Sequence, residues 1–154
     1  VVEYSPLWRG VFAFFVYPYF GYLVADFIWW RFSQIPVPPV LTGAVGVIVF
    51  GAGTWLRLAA VVPFLGQERV RGRRFTELGL QRWCRHPRYF ATLVQLLGAS
   101  LVFGSWGGVI LLFALGLPLI LLQVRYEDRR LERALKGEFG RYAAKVPRFW
   151  PRPL

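Results

Sequence analysis

The sequence predicts an all-α integral membrane protein of about four transmembrane helices, the last two forming a tight hairpin, followed by a C-terminal cytoplasmic amphipathic helix. Three observations carry this: the apolar excess, the punctuation between apolar runs, and the placement of the basic residues. Of 154 residues, 56% are hydrophobic, yet Lys+Arg number 19 against 8 Asp+Glu, a formal charge of +11. Such a charge ordinarily points to nucleic acid, but a mean hydropathy of +0.43 argues otherwise. A soluble domain of this length buries only about 70% of its unfolded surface, and the apolar remainder here would be an aggregating patch. A chain embedded in lipid has no such difficulty.

The spans follow in order. A membrane helix needs about 20 mostly apolar residues. Residues 8–30 qualify and end in Trp29-Trp30-Arg31, an aromatic and basic anchor suited to the interface. This run is too long for a signal-peptide core, and no small-residue cleavage site precedes a soluble domain, so it is expected to stay as a span. Pro36-Val37-Pro38-Pro39 stops any preceding helix. Residues 41–65 form a second span, interrupted only by Arg57. Two further runs, 87–103 and 106–124, are separated by Gly104-Ser105, which reads as a hairpin with almost no loop. The third helix is expected to begin at Pro87, where proline in the first turn costs no hydrogen bond. All of this makes one membrane domain over 1–154, with a loop at 66–86 and a C-terminal helix and tail at 125–154.

The charge pattern sets the orientation. Residues 66–88 hold Arg69, Arg71, Arg73, Arg74, Arg82, Arg85 and Arg88, and the tail from Arg125 holds nine Lys/Arg. The connection at 31–39 has only Arg31, and the turn at 104–108 has no basic residue. The positive-inside rule then predicts a multi-pass protein with both termini cytoplasmic. One Cys and one His exclude a disulfide framework, a Cys-rich zinc site and a His-His metal site, so no metal is expected.

Candidate functional groups are few. Asp26 and Arg57 lie inside apolar runs, where an ionisable group is costly and is usually functional or paired. Asp26 is four residues from Trp30, and it is expected to snorkel toward water. For Arg57, snorkelling and a functional role weigh about equally. Arg85-His86-Pro87-Arg88-Tyr89 sets cations at the mouth of the third span, where a helix N-terminus also favours anions; a basic interfacial anchor explains the same residues. Beyond the fourth span, a helix turning about 100° per residue puts Leu131, Ala134, Leu135, Phe139 and Tyr142 on one stripe, with Glu127 and Asp128 on the same side. Inward carboxylates suit an ammonium or sugar hydroxyls; pairing of Glu127 with Arg130 is the plainer alternative. Gly51-Ala52-Gly53 permits close approach of a helix or a ligand. Cys84 reads as an incidental interfacial cysteine more readily than as a nucleophile.

Taken together, Arg85-His86-Pro87-x-Tyr89 opening a hairpin, Glu127-Asp128 after it, then Leu131, Phe139-Gly140, Tyr142 and Val146-Pro147-Arg148-Phe149-Trp150-Pro151 resemble the isoprenylcysteine carboxyl methyltransferase and phospholipid methyltransferase superfamily of integral-membrane methyltransferases. The resemblance covers roughly residues 40–154. It implies S-adenosylmethionine as cofactor at the cytoplasmic membrane edge, and methyl transfer to a lipophilic acceptor such as an isoprenylcysteine-like carboxylate, an amine, a thiol or a phenol. It also implies a cofactor site built from Arg85, His86, Pro87, Tyr89, Glu127 and Asp128, with Gly51 and Gly53 matching the GxG of the phospholipid branch. Arg57 is a candidate for holding an anionic acceptor. The acidic pair is Glu-Asp where Glu-Glu is usual in the family, Ala91 stands where a Gly often follows the Tyr, and Gln81 replaces a common Tyr. The expected partners are the bilayer and a lipophilic or lipidated substrate, with no nucleic acid. The alternatives are an NADPH-dependent relative of the sterol reductases and a small non-enzymatic membrane assembly protein.

Overall fold

The computed structural model describes residues 6–65, 80, 84–135 and 138–147. Every element named among them is helical. Helix α1 (Pro6–Ala25) passes into a π-helical turn, Asp26–Trp30. That turn closes where the Arg31 N–H donates to the Asp26 carbonyl at 2.7 Å, with Arg31 left-handed at φ 45°. Helix α2 (Pro39–Leu65) begins on the last proline of the stop signal, whose missing N–H is no loss in a first turn. Helix α3 (Pro87–Val102) starts where the sequence places it. After the turn at Gly104 (φ 61°) comes α4 (Trp106–Leu111), capped by Ser105, whose hydroxyl accepts the Gly108 N–H at 3.2 Å.

A π-helical turn, Leu112–Gly116, joins α4 to α5 (Leu117–Leu135). Pro118 explains its position. In a regular α-helix the proline ring would clash with the Ala114 carbonyl and leave it without a donor. The wider turn, in which Leu117 N–H donates to Leu112 O, relieves that conflict without breaking the helix.

The fourth run is therefore longer than the sequence reading has it. It was expected to end at 124 and give way to a separate amphipathic helix, but α5 runs unbroken through Glu127-Asp128 to Leu135. No glycine or proline lies between Val124 and Leu135, and most of the residues there are good helix formers. The next helix, α6 (Glu138–Lys145), is a distinct element, so the stripe drawn through residues 127–142 belongs to two helices. The side chains of Ala134, Leu135, Phe139 and Tyr142 lie outside the described residues, as do Arg69, Arg71, Arg73, Arg74, Gln81 and Arg82.

Among the described residues, two helices are long and apolar enough to cross a membrane: Pro39–Ala60, with mean hydropathy 1.7, and Trp106–Arg133, with 2.3. Only 17% and 28% of their most apolar stretches are buried in the chain, whereas the core helix of a soluble protein would be mostly covered. The exposed surface includes Val40, Val47, Ile48, Trp55, Ile110, Phe113 and Leu122. At 1.5 Å per residue, α3 measures about 24 Å, short of a hydrocarbon core of about 30 Å.

Glycines set the packing of α2 on α3. A Cβ on Gly46 would strike the Val102 backbone, and one on Gly98 would strike the Phe50 backbone. On Gly53 it would fall 2.7 Å from the Gln95 nitrogen. The two helices thus run antiparallel at backbone contact, the close approach that small residues permit in lipid. Against them lies the core of Tyr19, Leu23, Leu96, Ala99 and Leu112, in which the Tyr19 hydroxyl donates to the Leu96 carbonyl at 2.8 Å.

Candidate functional site

At the α3 mouth, three side chains from distant parts of the sequence converge. His86 is the residue before Pro87, so its ring leaves the chain just ahead of the first helical turn. From α5 come Glu127 and Asp128, adjacent on one helix and so about 100° apart around it. His86 Nε2 lies 2.8 Å from Asp128 Oδ1. A carboxylate only accepts, so Nε2–H is the donor. Asp128 Oδ2 meets Arg85 Nη1 at 3.3 Å, which makes this carboxylate a clamp on both residues that precede the helix. His86 is 6% exposed and Asp128 also 6%, so the bond is largely shielded from water.

Glu127 has a different position. Its Oε2 lies 3.8 Å from His86 Nδ1, beyond hydrogen-bond range, and is buried without a hydrogen-bond partner among the described residues. A buried carboxylate oxygen left in this state is costly. Glu127 thus brings an acceptor to the site that no described residue hydrogen-bonds, while the oxygens of Asp128 are engaged by Arg85 and His86.

Tyr89, one turn into α3, packs its ring 5.8 Å from that of His86. Pro87 is buried beneath them, and Arg88 is exposed at the same mouth. Residues 146–147 reach this end: the Arg85 N–H donates to the Pro147 carbonyl at 2.9 Å, and Val146 is buried. Cys84 is buried as well, and burial pushes its thiol up to about 11, so it is not a ready thiolate.

The remaining candidates lie along α2. Gly53 is buried against Gln95 and Ala91, whereas Gly51 faces open space, so the two glycines point to different surroundings. Arg57, one turn beyond Gly53 toward the His86 end, is exposed and donates from Nη1 to Gln95 Oε1 at 3.3 Å. Gln95 in turn donates to Thr54 Oγ1 at 3.0 Å. This ladder escaped the sequence reading, although a Gln in the middle of an apolar run was a visible signal.

Asp26 corrects an expectation. It does not snorkel; it is fully buried. Its Oδ2 accepts from Ser33 Oγ at 2.6 Å and Ser105 Oγ at 2.8 Å, and its Oδ1 from the Ser33 N–H at 3.2 Å. The π-helical turn swings Asp26 inward, and the hydroxyls of two connecting segments solvate it in place of water.

No group of His, Cys, Asp and Glu that could hold a metal occurs among the described residues. Among the described residues the named elements are all helices, two of them fit to cross a membrane, with a buried His-carboxylate cluster at one end. Comparison with family models, curated proteins and solved structures found no match.

Proposed function

We propose that the chain is an integral-membrane methyltransferase that uses S-adenosylmethionine and acts on a lipophilic acceptor at the cytoplasmic face. The observation that carries this reading is the convergence of His86, Tyr89, Glu127 and Asp128 at one helix mouth, with one buried Glu127 oxygen unsatisfied. The residues fit such a cofactor. Glu127 Oε2 suits an ammonium or ribose hydroxyl donor, and the Arg85–Arg88 mouth suits a carboxylate. The space beside Gly53 is filled by Gln95, and Gly51 has nothing within contact distance, so neither glycine is needed for this cluster.

The cofactor supplies an electrophilic methyl group. In this reading the chain's own residues bind, orient and exclude water. Asp128 fixes the His86 ring and the Arg85 guanidinium, Glu127 grips the donor, and the Pro147 carbonyl holds the Arg85 N–H at the mouth. Alignment of donor and acceptor contributes several kcal/mol toward the barrier. Arg57, held by Gln95 at the lipid-facing side of α2, is placed to meet an anionic group of an acceptor arriving from the bilayer.

The topology belongs to the same proposal: four crossings, with both termini and the 66–86 loop cytoplasmic. The 21 residues from Trp106 to Tyr126 reach about 32 Å, one hydrocarbon thickness, which brings Glu127 to the far interface as the reading requires.

The test is binding of S-adenosylhomocysteine to the purified protein in detergent, followed by isotopic methyl transfer into a lipid extract. Wild-type binding that is lost in Glu127→Ala and His86→Ala supports the proposal. Undiminished affinity in both variants overturns it. A thermal shift with NADPH alone would point to a reductase, and a blank with both cofactors would point to an assembly protein.

A further inference from the structure

The opposite end of the bundle has its own chemistry. Asp26 opens the π-helical turn that follows α1, and its carboxylate is satisfied by Ser33 N–H, Ser33 Oγ, Ser105 Oγ and, at 3.4 Å, Gln34 Nε2. All four donors are neutral. No described basic side chain forms an ion pair with it, and Arg31, the nearest in sequence, donates its Nε–H to the Phe27 carbonyl. The Tyr22 hydroxyl donates to Ser33 Oγ at 3.2 Å, completing a chain of donors that ends on the acid. A buried carboxylate with only dipoles around it leaves a net negative potential at its site.

Beside this acid lies a shallow hollow of about 420 Å³, largely open to the surroundings and lined by Tyr22, Asp26, Trp29, Trp30 and Phe32. Four of the five lining residues are aromatic, and Phe32 is 91% exposed. Tyr22 and Trp30 hold each other at 6.4 Å between centroids, and Trp29 and Trp30 remain 74% and 64% exposed. Aromatic faces attract cations through their quadrupole, and weakly hydrated alkylammonium groups gain most. Anchoring at the membrane interface explains exposed tryptophans, but not a carboxylate without a countercharge behind them.

We propose that this aromatic hollow binds an organic ammonium cation of the choline type, with Asp26 supplying the countercharge from beneath the rings. The Asp26 oxygens are covered by their own donors, so the acid acts through its field and the rings make the contact. The site does not depend on the proposed activity at the other end, since the length of α3, about 24 Å, separates them.

The full chain, purified in an uncharged detergent, is titrated with choline chloride at constant ionic strength, with tryptophan fluorescence as the readout. The comparison ligand is choline's uncharged isostere, in which carbon replaces the quaternary nitrogen. Saturable quenching by choline is expected, at least about tenfold weaker for the isostere and in Trp30→Ala and Asp26→Asn, and unchanged in Glu127→Ala. If Asp26→Asn fails to fold, Trp30→Ala decides, because that side chain is largely exposed. Equal response to both ligands, or choline binding untouched in Trp30→Ala, overturns the proposal. Competition by phosphatidylcholine but not phosphatidylglycerol nanodiscs assigns the cation to a lipid headgroup; choline binding that neither displaces assigns it to a soluble ammonium compound.

Discussion

His86 and Asp128 stand 42 positions apart in sequence and meet at 2.8 Å through Nε2 and Oδ1. The contact ties the start of α3 to the end of the last apolar run, and Arg85 joins it through the other carboxylate oxygen. Glu127, one position earlier, comes only within 3.8 Å of His86 Nδ1 and makes no hydrogen bond through Oε2 among the described residues. The two acids should therefore respond differently to neutralisation. Asp128→Asn removes the charge that holds a nearly buried guanidinium and should cost about 2–3 kcal/mol of stability. Glu127→Gln loses no hydrogen bond within the described chain and should change the unfolding midpoint little, while weakening S-adenosylhomocysteine binding. Thermal unfolding in detergent beside a binding isotherm separates the two effects. Equal destabilisation by both substitutions would contradict this division.

The glycines of α2 make a second contrast. Gly53→Ala drives a methyl group into the Gln95 backbone and should push α2 from α3, at a cost of about 1–3 kcal/mol. Gly51→Ala meets nothing and removes a flexible residue from a helix, so it should be neutral or stabilising by up to about 1 kcal/mol. Unfolding curves of the two variants give the answer directly. A sequence reading that pairs these residues as one GxG motif predicts similar losses.

Local signals in the chain were enough for some elements. Pro87 marks a helix start because a proline at the first turn gives up no hydrogen bond, and Gly104 marks the hairpin because the backbone there is left-handed. Helix α2, by contrast, starts at Pro39, two residues before the apolar run that signals it. Glu127 and Asp128 were legible as site candidates because adjacent acids beside an apolar stripe are unusual on a solvated helix. What escaped depends on three-dimensional partners. The burial of Asp26 is set by hydroxyls 7 and 79 residues away, which no window of hydropathy contains. The continuity of α5 past Val124 was hidden because the change from apolar to charged composition looks like an element boundary, although the backbone has no reason to stop there.

Ser105 tests how the Asp26 end is held. Its hydroxyl caps α4 through the Gly108 N–H and donates to Asp26 Oδ2, so one small side chain serves two buried groups. Ser105→Ala should cost about 1 kcal/mol for the cap and a further 1–2 kcal/mol or so for a donor withdrawn from a buried carboxylate. Ser105→Thr keeps the hydroxyl and should recover most of that loss. If both variants unfold at the same denaturant concentration as the wild type, the network contributes nothing to stability.

Cys84 gives the pH-dependent case. Burial raises its thiol from the ordinary value of 9.0 to about 11. The folded chain thus holds this proton more tightly than the unfolded one. The stabilisation is complete below pH 9 and is lost as the pH rises through 11, at up to about 1.4 kcal/mol per pH unit between those limits. Unfolding measured from pH 8 to pH 11 should show this decline in the wild type and a shallower one in Cys84→Ala. The same burial predicts slow alkylation of the folded protein at pH 8 and rapid alkylation once it is unfolded. Fast labelling of the folded chain at pH 8 would mean that Cys84 is accessible and ionised there, contrary to its burial.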